Sequence, residues 1–249
     1  MSEHVEPPFD RPDKDFNTLE GWTWVGTYGG YYLQCDQLSA FEHGFFTRLW
    51  HGREPDGLVG YVSSGVSVHR LKQVHSGRVL AASAAQNDPW PEADGLVSDA
   101  GGQSLWVAGA DCTPVLIADP ESGSVAACHA GWRGVAARIL PAAIQRLESL
   151  GANRETLLVA LGPAISGERY QVGQEVVDAV YDSLASDSLA SAAGDRIARH
   201  PALVPRHVPA GRRLRPPRVR GRRLLLRRRV QRDEPVPDHR GQDLAEPLA

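Results

Sequence analysis

Residues 104–134 read SLWVAGADCTPVLIADPESGSVAACHAGWRG, and the fold turns on this stretch. Residues 104–109, 114–118 and 124–128 are short apolar runs separated by Asp, Gly and Pro. Runs of this length between turn residues are the pattern of strands covered on both faces, so the three are expected in one buried sheet. After Gly131-Trp132-Arg133-Gly134 the period changes. Val135, Ile139, Ile144 and Leu147 recur near helical spacing and Gly151 closes the segment, which predicts a helix over 135–150, kinked at Pro141. Downstream, residues 156–161 (TLLVAL) predict a further strand, and Val176, Val177, Val180 and Leu184 predict a second helix after Gly173. The outcome is a mixed α/β (α+β) protein with helices laid against a central sheet.

Outside this region the composition divides in two. The 249 residues carry 27 Lys+Arg and 30 Asp+Glu, a formal charge of −3 that averages unlike segments. Residues 1–195 hold 12 basic against 25 acidic side chains, whereas residues 196–249 hold 15 against 5, every basic one an arginine. The second segment also has 8 prolines and no Phe, Trp, Tyr, Lys, Cys or Asn. Such a segment buries too little apolar surface to offset its chain entropy, so 196–249 is expected to be an irregular or disordered tail. Residues 1–20, polar and Pro-rich, are expected to be a flexible arm, which leaves 21–195 as the folded domain. No run approaches the roughly 18–20 apolar residues of a membrane helix, and the N-terminus lacks the apolar core of a signal peptide. A cytoplasmic location with no membrane partner is the expectation. Three cysteines, Cys35, Cys112 and Cys128, are an odd number at irregular spacing; buried thiols, a metal ligand or a nucleophile remain open, and a disulfide framework does not.

His75, Cys112 and His129 stand out chemically. Cys112 and His129 end predicted strands, where side chains emerge at a sheet edge. Two imidazoles and a thiolate suit zinc, and three protein ligands leave a fourth position open for water or substrate. The spacing matches no short zinc motif, and a small buried Cys and core histidines would account for the same residues. Gly131 to Gly134 lies between a strand and a helix. Its amides and Arg133 could form an anion-binding corner, or a tight turn with the arginine in solvent. Asp111 could be a general base, an orienting group or a turn residue. Lys72 and Gln73 are either polar contacts or surface positions. Cys128, adjacent to His129 on a strand, should point to the opposite face and pack in the core.

Together with Leu71 to Val79, Ala93-Asp94-Gly95-Leu96-Val97-Ser98 and Leu161-Gly162-Pro163-Ala164-Ile165, these blocks resemble, in order over residues 43–181, the YfiH-like laccase-domain family. Its members were once labelled multicopper polyphenol oxidases and are now assigned as purine nucleoside phosphorylases. The resemblance implies an α/β/β/α sandwich and the metal ligands His75, Cys112 and His129, so 21–195 would be a laccase-domain-like catalytic domain. It implies zinc (Zn2+) as cofactor and phosphorolysis of adenosine, inosine, guanosine or methylthioadenosine, with adenosine deamination in some members. Cys112, Asp111 and Arg133 are then the catalytic candidates, and Gly131, Arg133, Gly134, Lys72 and Gln73 the phosphate or substrate candidates.

The chain departs from the family at two places. Residues 48–70 are short and lack the Asn-containing loop and Asn-Arg helix of many members. No Cys- and aromatic-containing closing strand follows Tyr181. A frameshifted tail, translated one base out of register from a GC-rich gene, would account for both the missing strand and the arginines. A nucleic-acid-binding arm is disfavoured, because the tail has no aromatics to stack bases. Two other functions stand beside phosphorolysis. A copper (Cu2+) polyphenol oxidase needs several His-rich sites where this sequence offers one three-ligand cluster; an inactive, basic-tailed binding protein would result if the altered terminus opened the pocket.

Overall fold

The central apolar runs do form strands, but they divide between two sheets. The computed structural model describes residues 19–27, 30–85 and 88–185 and the backbone of 222–227. Its strands are β1 (Trp22–Thr27), β2 (Gly30–Cys35), β3 (Glu42–Phe46), β4 (Ser67–His69), β5 (Val79–Ala81), β6 (Gly95–Val97), β7 (Gln103–Gly109), β8 (Thr113–Ala118), β9 (Val125–Ala130), β10 (Leu158–Leu161) and β11 (Arg222–Arg227). One sheet has the order β1-β2-β3-β11-β7-β4 and the other β10-β8-β9-β6-β5. Residues 104–109 therefore belong to a different sheet from 114–118 and 124–128. Strands in either inner layer are covered on both faces, so their composition does not reveal that the short 109–112 link crosses between layers.

Alternation along the strands assigns each side chain to a layer. Leu33, Phe45, Leu105 and Val107 of the first sheet meet Leu96, Leu116, Val125 and Ala127 of the second in one buried cluster. On the far side of the second sheet, Val115, Ile117, Ala126 and Cys128 pack against Ile139, Ala143 and Leu147. On the far side of the first, Tyr32, Phe46 and Trp106 pack against Trp50 and Leu58. The layers are thus α/β/β/α, as the resemblance implies.

The outer layers are helical: α1 (Pro55–Leu58) on one side, and α2 (Trp132–Ala136) with α3 (Ile139–Ser149) on the other, followed by α4 (Gln174–Ala185). The helix expected over 135–150 is two helices. Arg138 adopts a left-handed conformation (φ 61°) that ends the first, and α3 starts one residue later. Pro141 consequently falls in the first turn of α3, where no intrahelical amide bond is required, and causes no kink.

Six residues of the segment beyond 195 enter the first sheet. β11 lies antiparallel to both neighbours, with Leu224 opposite Phe45 of β3 and Val107 of β7. The segment expected to be irregular thus contributes one strand to the interior of the first sheet. The remainder of the expected tail and residues 1–18 of the expected arm lie outside the described residues. Among the described residues, no helix is long and apolar enough to cross a membrane.

Candidate metal centre

Antiparallel pairing of β8 with β9 sets Thr113 opposite Ala130 and Pro114 opposite His129. The start of β8 therefore meets the end of β9, which brings Cys112 beside Gly131 and close to His129. His75 comes from the loop between Lys72 and β5, and it has a left-handed backbone, φ 61°. The ligand atoms of His75, Cys112 and His129 lie within 4.8 Å of one another. The two imidazole rings meet edge to face at 4.8 Å between centroids. Their environments grade outward: His129 is buried, Cys112 half-buried and His75 exposed, so the cluster opens to solvent on the His75 side.

Two glycines permit this approach. A Cβ at Gly131 would sit 2.8 Å from Cys112 Sγ and 3.0 Å from His75 Cδ2, closer than packed atoms allow. A Cβ at Gly134 would come 3.1 Å from the Ser76 carbonyl oxygen. Gly134 is buried and lets α2 close against the His75 loop, a packing role.

Electrostatics distinguish the two thiols nearest the site. Burial, then the charges of Asp111 and Asp94, push the Cys112 thiol above its ordinary range. Such a thiol ionises readily only beside a cation, and a divalent metal shared with two imidazoles would supply one. The donor set fits zinc: two nitrogens, one sulfur, and an open side toward solvent. Cys128 faces the opposite way, into the packing against α3, where burial pushes its thiol to about 12.

The remaining candidates are spread around this cluster. Arg133 is exposed in the first turn of α2, with its guanidinium carbon 4.2 Å from the centroid of the Trp132 ring. Asp111 is exposed, and its carbonyl oxygen accepts a hydrogen bond from Ile165 N at 3.1 Å. Lys72 donates to Glu92 Oε1 at 2.8 Å on the surface. Gln73 uses its carboxamide on β7: Nε2 donates to the Ala108 carbonyl and Oε1 accepts from the Ala108 amide, both at 2.7 Å. That pair imitates a strand–strand bridge beyond the end of β4. The side chains of Lys72 and Gln73 are thus engaged away from the three ligands.

Two residues at the site escaped the reading of the sequence. Asp94 is fully buried and accepts hydrogen bonds from the His75 amide and His129 Nδ1, each at 2.9 Å. An acidic residue beside the apolar run at 95–97 was the available signal, because a buried carboxylate must find donors. Tyr170 is 40% exposed. Burial and the charges of Cys112 and Asp111 push its phenol up while Arg133 draws it down, so its hydroxyl shares the field of all three.

The family model described as multi-copper polyphenol oxidoreductase laccase matches residues 60–204, more than half of the chain. A protein of Synechocystis sp. named purine nucleoside phosphorylase is 46% identical over 157 residues, 61% of this chain and 60% of the relative. One of Deinococcus radiodurans with the same name is 44% identical over 107 residues, 43% of this chain and 41% of the relative. The matched stretches thus span between two-fifths and three-fifths of these curated relatives. Among solved structures, the Bacillus licheniformis hypothetical protein YfiH superposes with a TM-score of 0.54 at 23% identity, covering 61% of this chain and 68% of that one. YlmD from Geobacillus stearothermophilus superposes with a TM-score of 0.52 at 23% identity and the same coverage. These two likenesses support the fold.

Proposed function

The chain belongs to the multi-copper polyphenol oxidoreductase laccase family, and from that premise we propose that it is a zinc-dependent purine nucleoside phosphorylase. The observation that carries the reading is the convergence of His75, Cys112 and His129 on one open cluster, in a chain whose relatives bear that enzyme's name.

In the proposed reaction a phosphate oxygen bonds to the anomeric carbon of a purine nucleoside. The carbon–nitrogen bond to the base breaks, its electron pair leaves with the purine, and the base takes up a proton. Zinc held by the three ligands would supply a Lewis acid with one position free for an oxygen ligand. Arg133 would counter the phosphate charge beside the amides of Gly131 to Gly134, because charge and fixed donors contribute most where an anion must be held in line with a developing cation. Asp111, beside Cys112, would orient a proton-bearing group of the substrate. A cytoplasmic enzyme acting on small molecules is the setting this implies.

Oxidation of phenols at copper is the competing reading of the family description. It needs several copper sites built from many histidines, and among the described residues one group of three ligands is found.

The test is to incubate the purified full chain with adenosine, with and without phosphate, and separate the products by chromatography. Adenine and ribose 1-phosphate formed only with phosphate are expected. Inosine without free base would instead indicate deamination, and zinc-loaded protein that releases no product would overturn the proposal.

A further inference from the structure

Asp94 joins the two imidazole-bearing segments through a single carboxylate. Oδ1 accepts from the His75 amide and His129 Nδ1, both at 2.9 Å. Oδ2 accepts from the Ser76 amide at 2.6 Å, the Ser76 hydroxyl at 2.8 Å and the Val74 amide at 3.3 Å. The backbone contributes as well, since the Asp94 carbonyl accepts from the His129 amide at 2.7 Å. Three successive amides, of residues 74, 75 and 76, converge on this carboxylate as they would on a bound anion. That convergence requires a sharp turn, and His75 sits in it with φ 61°.

The contact to His129 has a chemical consequence. Each carboxylate oxygen already faces a backbone amide that can only donate, so Asp94 acts as an acceptor toward the ring, and in the neutral imidazole Nδ1 carries the proton and Nε2 the lone pair. His129 is buried, with Nδ1 on Asp94 and the ring edge to face with His75 in the cluster.

We propose that Asp94 is the positioning residue of the metal centre: its carboxylate selects the Nδ1–H form of His129 and holds the left-handed backbone of His75, so both imidazoles are set before a metal arrives. The proposal rests on reading His75, Cys112 and His129 as metal ligands.

The experiment uses the full chain stripped of metal by a strong chelator. Ring-nitrogen NMR of histidine-labelled protein is expected to show His129 as a single Nδ1–H tautomer. In Asp94→Asn that signal should shift toward the Nε2–H form. Zinc affinity, measured by competition with a chromophoric chelator, should fall roughly 10- to 100-fold, the usual effect of losing a ligand's hydrogen-bond partner. A wild-type His129 in the Nε2–H form overturns the proposal even if the variant fails to fold. A folded Asp94→Asn chain with wild-type zinc affinity overturns it too. Cys112→Ala separates the two ideas: zinc binding that survives there defeats the ligand assignment, whereas loss there with unchanged affinity in Asp94→Asn defeats only the role of Asp94.

Discussion

Gly131 shows how closely the cluster is packed. Its missing side chain would meet both Cys112 and His75, at 2.8 and 3.0 Å. Gly131→Ala is therefore expected to leave the fold intact, since the position is an ordinary extended helix cap with φ −75°. It should nevertheless weaken zinc binding at least tenfold in a chelator competition; unchanged affinity would mean that the three ligands do not close around this backbone. Lys72 gives the opposite expectation. Its ammonium pairs with Glu92 in solvent, so Lys72→Ala should leave the Michaelis constant for phosphate within about twofold, the scale on which exposed charge pairs matter. At this scale the structure brings His75, Cys112 and His129 together, and their donor chemistry is legible in the sequence, because it is intrinsic to the residue type. Asp94 is not, because its role comes from amides and a ring delivered by two segments far apart in the chain. In the sequence Gln73 is open between a polar contact and a surface position, and the bonds of its carboxamide to the backbone of β7 come from a strand no neighbouring residue announces.

At the scale of elements, Asp119 fastens the β8–β9 hairpin to the turn before β10. Its buried carboxylate accepts from the hydroxyls of Thr156 at 2.6 Å and Ser122 at 2.7 Å, and from the amides of Asn153, Glu121 and Ser122 at 3.2 Å. Burial pushes this group up, but the hydrogen bonds from Thr156, Ser122, Asn153 and Glu121 prevail and lower it from 3.8 to about 2. A carboxylate depressed in the folded state stabilises the fold fully above its unfolded value, and the contribution is lost as pH falls toward the folded one. Thermal melts should therefore show an acid limb between pH 3.8 and about 2 that Asp119→Asn flattens. Asp119→Ala should cost about 2 kcal/mol at neutral pH through the donors left unpaired, measurable by urea unfolding. Strands β7 to β10 and the helical stretches after Gly131 and Gly173 were legible from apolar period and turn residues, whereas β1, β2, β4, β5, β6 and α1 were not, being short or without a clean period. The partition of β7 and β8 between sheets was not, since both are equally apolar. Nor was the break at Arg138, whose positive φ has no signature in a non-glycine residue.

For the whole molecule, the decisive element is β11. It stands between β3 and β7, so among the described residues the two halves of the first sheet are joined through residues 222–227. A chain truncated after residue 195 would leave the facing edges of β3 and β7 without this partner, and buried backbone groups tolerate that poorly. Truncation is expected to lower the melting temperature substantially or abolish cooperative unfolding; an unchanged melt would show that the sheet does not depend on β11. Composition argued against a strand here because an Arg- and Pro-rich segment has little to bury, while sheet pairing uses backbone groups common to every residue except proline. The charge difference between the segments therefore does not map onto a difference between sheet and tail.

The proposed chemistry requires His75, Cys112 and His129, from separate segments, to form one metal centre. Native mass spectrometry of the full chain, purified without chelator and compared with Cys112→Ala, tests this most directly. One zinc per chain in the wild type and none in the variant is the predicted result. Equal metal content in the two proteins, or several coppers per wild-type chain, would contradict it.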